Sequence, residues 1–426
     1  MIKYFLSFLI FCVSNYYCYA QNIKYAKEVI DTLTSGKMHG RGYVQKGDSL
    51  AANYIYKEFQ KKQLKYFGES YFQKYSISIN SFPEKVEVKI DKNKLIPGID
   101  FTVFSGSPSI SGSFKVAWLN KAIIDDEVRL KKLTNSNLKK KILIIDKTEI
   151  EDKKILDVFD ALRFQNVFNA KAIVFLTSKK IMWSVSSGQK LADYAVIDIK
   201  ANFVNQNTKK IEIEIKNEFF PNYSTQNLIG YVVGKEQPDS FIVFSGHYDH
   251  LGMMGKDTYF PGANDNASGI SMLLNLAEYY SKKENQPKYS IAFMAFSSEE
   301  VGILGSKYYS EHPLFPLNKI KFLFNLDMVG SGEGGITLVN STVFEKEFNL
   351  LNTINDDKKY LIKLNKRGET ANSDHYFFYK NGVKCFFIYS NWPTSEYHNP
   401  MDKAETLPLN AFENIFKLLR DFVAVY

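Results

Sequence analysis

Three apolar runs in the second half of the chain lead straight into histidines and acids. Residues 241–246 run into His247-Tyr248-Asp249-His250, residues 289–298 into Glu299-Glu300, and residues 322–326 into Asp327. Two loops extend the set. Asp265 sits in Gly262-Ala263-Asn264-Asp265-Asn266-Ala267-Ser268-Gly269, whose small residues permit close approach, and His398 follows Tyr397 shortly before the last helical stretch. Taken singly, each has a plain structural reading: a hydrogen-bonded strand-end histidine, a helix cap at Asp265, a solvated turn at Glu299-Glu300. Together, in order and at strand ends, they predict a metal site. Imidazole nitrogen and carboxylate oxygen are donors that zinc takes, and a coordination position left open makes such a site catalytic. His247, Asp265, Glu300, Asp327 and His398 are too many for one catalytic zinc that keeps a water. They suit two zinc ions sharing a carboxylate. Manganese or cobalt would accept the same atoms.

The elements that must position these residues are those of an α/β domain. Runs at 241–244, 289–296, 322–324 and 385–389 are apolar without alternation, as strands covered on both faces are. Ile270, Leu273, Leu274 and Ala277 mark one intervening helix, and Phe412, Ile415, Phe416 and Leu419 mark the last. In such sheets the carboxyl ends of the strands converge on one crevice, where ligands bind. Earlier in the chain, Ala51, Ala52, Ile55, Tyr56 and Phe59 recur at helical spacing, and residues 70–78 and 85–90 alternate as strands do. Residues 96–215 differ in texture. Short β-rich runs at 141–146 and 171–176 surround lysine-rich helical stretches, and the segment holds no histidine. It reads as a module of its own, inserted between two parts of the catalytic domain (21–95 and 216–426).

Composition narrows the class. The chain has 426 residues, 45% of them apolar, as an ordinary globular protein has. Its formal net charge of +8 is spread over scattered lysines with no basic stripe, which points away from nucleic acid. Residues 1–20 read as a cleavable export signal: Lys3, an uncharged apolar run over 4–13, and Ala20 before Gln21. That run is too short to span a bilayer, so the mature chain is expected to be periplasmic or extracellular without membrane insertion. Cys12 and Cys18 leave with the signal, and Cys385 remains as a small core residue.

With these motifs in place, the chain resembles the co-catalytic zinc aminopeptidases typified by bacterial leucyl aminopeptidase and yeast aminopeptidase Y, with glutamate carboxypeptidase II, glutaminyl cyclases and the transferrin receptor as more distant relatives. The matching stretches are 245–252, 262–269, 296–302, 325–330 and 397–398, in the family's order. The resemblance implies a phosphorylase/hydrolase-like three-layer sandwich with a central mixed sheet, and a β-rich protease-associated-like domain at 96–215. It implies that Asp265 bridges two zinc ions, that His247 and Asp327 complete one position and that Glu300 and His398 complete the other. Glu299 would be the general base for the bridging water, and Asp249 would orient His247 through its second ring nitrogen. Peptides with a free amino end would be the substrates. Leucyl aminopeptidase has a tyrosine three residues before its Ser-Asp-His stretch, where this chain has Thr370, so Tyr376 or another hydroxyl would have to face the oxyanion.

Other readings remain beside this one. A carboxypeptidase or dipeptidase of the same fold needs a cation for the free carboxylate, which Arg41 or Lys366-Arg367 would supply. A glutaminyl cyclase would use one zinc. Ser373-Asp374-His375 is not a catalytic triad, because adjacent residues do not meet in that geometry. His39 and His312 read as structural, His250 and His375 as neighbours of the site. Tyr389 and Trp392 suit either an apolar substrate pocket or the core.

Overall fold

Alternation inside the central strands sends successive side chains to two different cores, and this lays down the architecture. The computed structural model describes residues 22–391 and 396–426; the expected signal at 1–20 and Trp392 lie outside the described residues. In Gln237–His247, Ile242 and Phe244 join one buried cluster, while Phe241 and Val243 join another. Tyr289–Phe296 behaves alike, with Ile291, Phe293 and Ala295 on one side and Ala292, Met294 and Phe296 on the other. The first core is closed by the helices Ile23–Thr34, Gly47–Lys61, Gly269–Ser281 and Phe412–Val425. The second is closed by Leu304–Glu311 and His375–Lys380, through Tyr309 and Phe378. The result is the expected α/β sandwich of helix, mixed sheet and helix.

That sheet has eight strands, in the order Phe72–Ser81, Glu218–Val232, Tyr289–Phe296, Gln237–His247, Ile320–Leu326, Cys385–Ser390, Ile336–Val339 and Leu364–Lys366. The four from Tyr289–Phe296 to Cys385–Ser390 are mutually parallel, in a register that sets His247 opposite Phe296, Ser245 opposite Asn325 and Leu326 opposite Ile388. Their carboxyl ends therefore share one edge. A second eight-stranded sheet is built from strands between Val86–Ile90 and Lys210–Ile215. Its core runs on into the first unit, since Phe101, Val103, Trp183 and Val185 share a buried cluster with Leu251, Met254, Phe260 and Val301. Cys385 is fully buried, and burial pushes its thiol up to about 12. Among the described residues, no helix is long and apolar enough to cross a membrane.

Candidate metal centre

Each expected donor arrives at the shared edge by a route the sheet dictates. His247 is the last residue of its strand, Asp327 follows Ile320–Leu326 directly, and Glu299-Glu300 turn off the end of Tyr289–Phe296. His398 comes from the loop after Cys385–Ser390, and Asp265 lies in the π-helical turn Ala263–Ser268 that opens the helix Gly269–Ser281. Gly262 makes that turn possible. Its φ is +59°, and a Cβ there would collide with the Asp265 carbonyl and the His250 ring. Three non-glycine residues at the edge also take left-handed backbone: Ser298 (φ 60°), Met328 (φ 61°) and His398 (φ 55°). Such conformations cost about 1–3 kcal/mol each and persist where surrounding contacts over-determine them.

The five side chains meet as two sets hinged on Asp265. His247 Nε2 stands 3.3 Å from Asp265 Oδ1 and 3.4 Å from Asp327 Oδ1. On the other side, His398 Nε2 stands 3.1 Å from Asp265 Oδ2 and 3.2 Å from Glu300 Oε2. Donors about 2.0–2.1 Å from a tetrahedral zinc stand about 3.3–3.4 Å from one another, so this spacing fits ligands around a common centre. His398 Nε2 is buried and makes no hydrogen bond, although two carboxylate oxygens are that near. They lie off the direction an N–H would need, as donors aimed at a shared point do. The residues present therefore fit two metal positions, with one Asp265 oxygen turned to each.

Charge tells the same story. Burial opposes charge on the His247 ring, yet Asp327, Glu299 and Asp265 outweigh it and hold its pKa well above the ordinary value. Burial likewise opposes charge on His398, and Glu300 and Asp265 still raise it to about 11. Burial would raise Asp265, but the imidazoles of His247, His398 and His250 beside it hold it well below the carboxylate range. Burial, reinforced by Glu300, Asp327 and Asp374, holds Glu299 well above that range against the pull of His247. A pocket so crowded with carboxylates stabilises cations. Glu299 and His398 are only partly covered, which marks the side open to solvent.

Three residues around the donors show how the site is braced. First, His247 Nδ1 meets the backbone carbonyl of Asp249 at 3.1 Å, while the Asp249 carboxylate stands 3.8 Å away. That carboxylate instead accepts the backbone N–H groups of Glu299 (3.1 Å) and Glu300 (3.4 Å), so it braces the acidic turn. Second, His250 is buried in the cluster, with Nδ1 2.7 Å from Glu300 Oε1, and so holds that carboxylate with its other oxygen toward His398. Its place three residues after His247 was the only signal in the sequence. Third, Arg41 is fully buried and sends every N–H to a backbone carbonyl: Tyr248, Leu33, Pro261, Gly262 and Asp265. It has no donor left for a substrate carboxylate.

Further supports come from distant segments. Ser373 Oγ donates to Asp327 Oδ2 (2.8 Å), accepts from Asn325 Nδ2 (2.8 Å), and Asn325 Oδ1 accepts from Ser245 Oγ (2.9 Å). Asp402 accepts the backbone N–H groups of Asn264 and Asp265. His375 lies buried against Phe387 and His312 is exposed beyond the end of Leu304–Glu311.

In comparison with known proteins, residues 227–423 match peptidase family M28. Among curated relatives, aminopeptidase YwaD of Bacillus subtilis (strain 168) is 29% identical over 273 residues, 59% of this chain and 56% of YwaD. A probable zinc metalloprotease of Pyrenophora tritici-repentis is 34% identical over 110 residues, 22% of its length. The match thus spans little more than half the length of YwaD and about a fifth of the Pyrenophora protein. A solved zinc aminopeptidase from Bacillus subtilis superposes with a TM-score of 0.68 at 22% identity, covering 95% of this chain and 94% of that one. A peptidase M28 precursor from Shewanella amazonensis SB2B superposes at 0.69 with 16% identity, covering 94% and 92%. Both share the fold across both sheets.

Proposed function

We propose that the chain is an exported exopeptidase that removes amino-terminal residues from peptides with two zinc ions. The observation that carries this reading is the pair of donor sets sharing Asp265, with Glu299 beside them. His247, Asp265 Oδ1 and Asp327 would hold one ion, and Asp265 Oδ2, Glu300 and His398 the other. When bound, the ions supply Lewis acidity, lowering the pKa of water and polarising the scissile carbonyl. Glu299, partly open to solvent and braced through its backbone by Asp249, takes a proton from the attacking water and returns it to the leaving amine. The surplus of carboxylates favours a substrate's α-ammonium. Of the cations that would serve a carboxypeptidase, Arg41 is spent on backbone carbonyls, Lys366 pairs with Glu345 and Arg367 bonds the Tyr389 hydroxyl. Relatives described as zinc aminopeptidases support the same activity.

The oxyanion donor in this reading is Tyr397. Its ring stacks on that of His398, 3.8 Å between centroids at 16°, and it is 43% exposed on the open side of the site. Thr370 and Tyr376 have no comparable contact with a metal donor. Removing one oxyanion donor typically costs about 10²–10³ in kcat. Tyr397→Phe therefore lowers kcat by about that factor with KM little changed; a loss smaller than about threefold removes Tyr397 from the role.

The deciding experiment measures zinc per chain in purified residues 21–426 and hydrolysis of a dipeptide series with free and N-acetylated amino ends. About two zinc ions per chain, with cleavage abolished by N-acetylation, is the expected result. Cleavage indifferent to N-acetylation reassigns the enzyme as a carboxypeptidase or dipeptidase. One zinc or none overturns the two-metal reading, the single-zinc cyclase included in what is then tested.

A further inference from the structure

The two metal positions are supported from different parts of the molecule. Asp249, Ser373, Asn325 and Ser245, the partners of His247 and Asp327 described above, all belong to the strands and loops of the first sheet. The loops of Glu300 and His398 are held in addition by the second sheet's unit, through residues 180–189. The Trp183 backbone N–H donates to the His398 carbonyl at 2.9 Å. Lys180 Nζ lies 2.5 Å from Glu396, two residues before His398. Gln189 Nε2 donates at 2.6 Å to the carbonyl of Val301, the fully buried neighbour of Glu300. The Trp183 ring packs against Phe260 (4.9 Å between centroids), ahead of the Asp265 turn, and its indole N–H is anchored on the Val103 carbonyl of the second sheet (2.7 Å).

We propose that residues 180–189 are a clamp that positions the Glu300–His398 metal site and leaves the His247–Asp327 site untouched. The inference rests on the two-metal reading above. The clamp acts mainly on backbone: Trp183 fixes the His398 carbonyl and Gln189 that of Val301, while Lys180 holds the Glu396 side chain, so that Glu300 and His398 face Asp265 Oδ2 before an ion arrives. Partners bonded directly to a metal ligand are worth about 10–100-fold in metal affinity, and these contacts act one bond further out. One unit of the chain would thereby govern how many ions the other holds.

The test is a competition titration of metal-free full chain with zinc against a chromophoric chelator, resolving two dissociation constants. In wild type two constants are expected, and finding one or none fails the two-metal reading before any variant is compared. Gln189→Ala and Lys180→Met, singly and together, are the probes, since both residues are partly exposed and neither fills a core. The expected result is that one constant weakens by about tenfold, the low end of the range for direct partners, while the other stands. Ser373→Ala, which releases Asp327, should move the constant that the clamp variants leave alone. Equal weakening of both constants in the clamp variants means general loosening and overturns the proposal. So does no change in either.

Discussion

Glu299→Gln lowers kcat by about 10²–10⁴-fold, the range a positioned general base contributes, while both metal positions still fill. Glu299 is not among the atoms that form the two donor sets, and Gln keeps its size and its backbone N–H, which is what Asp249 grips. Only the ability to take a proton is lost. Zinc stoichiometry and the two zinc constants should equal those of wild type, and KM should change far less than kcat, because the substrate's carbonyl and amine meet groups that remain. Metal content is the discriminating number. If the variant retains two ions and also retains activity within about tenfold, the base lies elsewhere. If it loses an ion, Glu299 is a ligand and the assignment of Glu300 must be redrawn.

What sequence could and could not disclose follows from the kind of contact. The convergence of His247, Glu300 and Asp327 was legible because each follows an apolar strand, so that register alone brings them to one edge, and Asp265 was legible from its small-residue turn. The covering of the sheet on both faces was legible for the same reason: Phe241 to Phe244 has no polar side to show to water. Backbone carbonyls are a different matter. Every residue has one, so no residue type betrays that Arg41 seeks Pro261, that Gln189 seeks Val301 or that Trp183 seeks His398. These contacts cross more than a hundred positions of sequence and repeat with no period. Asp249 illustrates the limit from the other side. The resemblance implied a bond from its side chain to His247, whereas the fold gives the ring a backbone carbonyl at 3.1 Å and turns the carboxylate to the Glu299-Glu300 turn.

Arg41→Lys destabilises the metal-free protein by about 2–6 kcal/mol. The guanidinium makes five hydrogen bonds of 2.5–3.2 Å, all to backbone carbonyls and all inside the protein. Burial lowers its pKa to about 10, with Asp265, Asp402, Asp249 and Glu300 opposing that fall, so it remains charged at neutral pH. A lysine keeps the charge but has three donors, and at least two carbonyls lose their partner. A buried polar group left unsatisfied costs about 1–3 kcal/mol. The backbone has already paid to deliver this residue: His39 and Arg41 are left-handed (φ 47° and 51°), and Cβ atoms on Gly40 or Gly42 would collide with Gly252. Arg41→Met leaves all five carbonyls bare, a loss comparable with the whole stability of about 5–15 kcal/mol, and should not fold. Urea unfolding of the metal-free lysine variant reads the effect as a lower midpoint at unchanged slope. Zinc at a hundredfold over its dissociation constant returns only about 2.7 kcal/mol per site, so the deficit against equally loaded wild type persists unless affinity also changes. A lysine variant within about 0.5 kcal/mol of wild type would show that water replaces the lost donors, and that Arg41 is held by its neighbours and does not hold them.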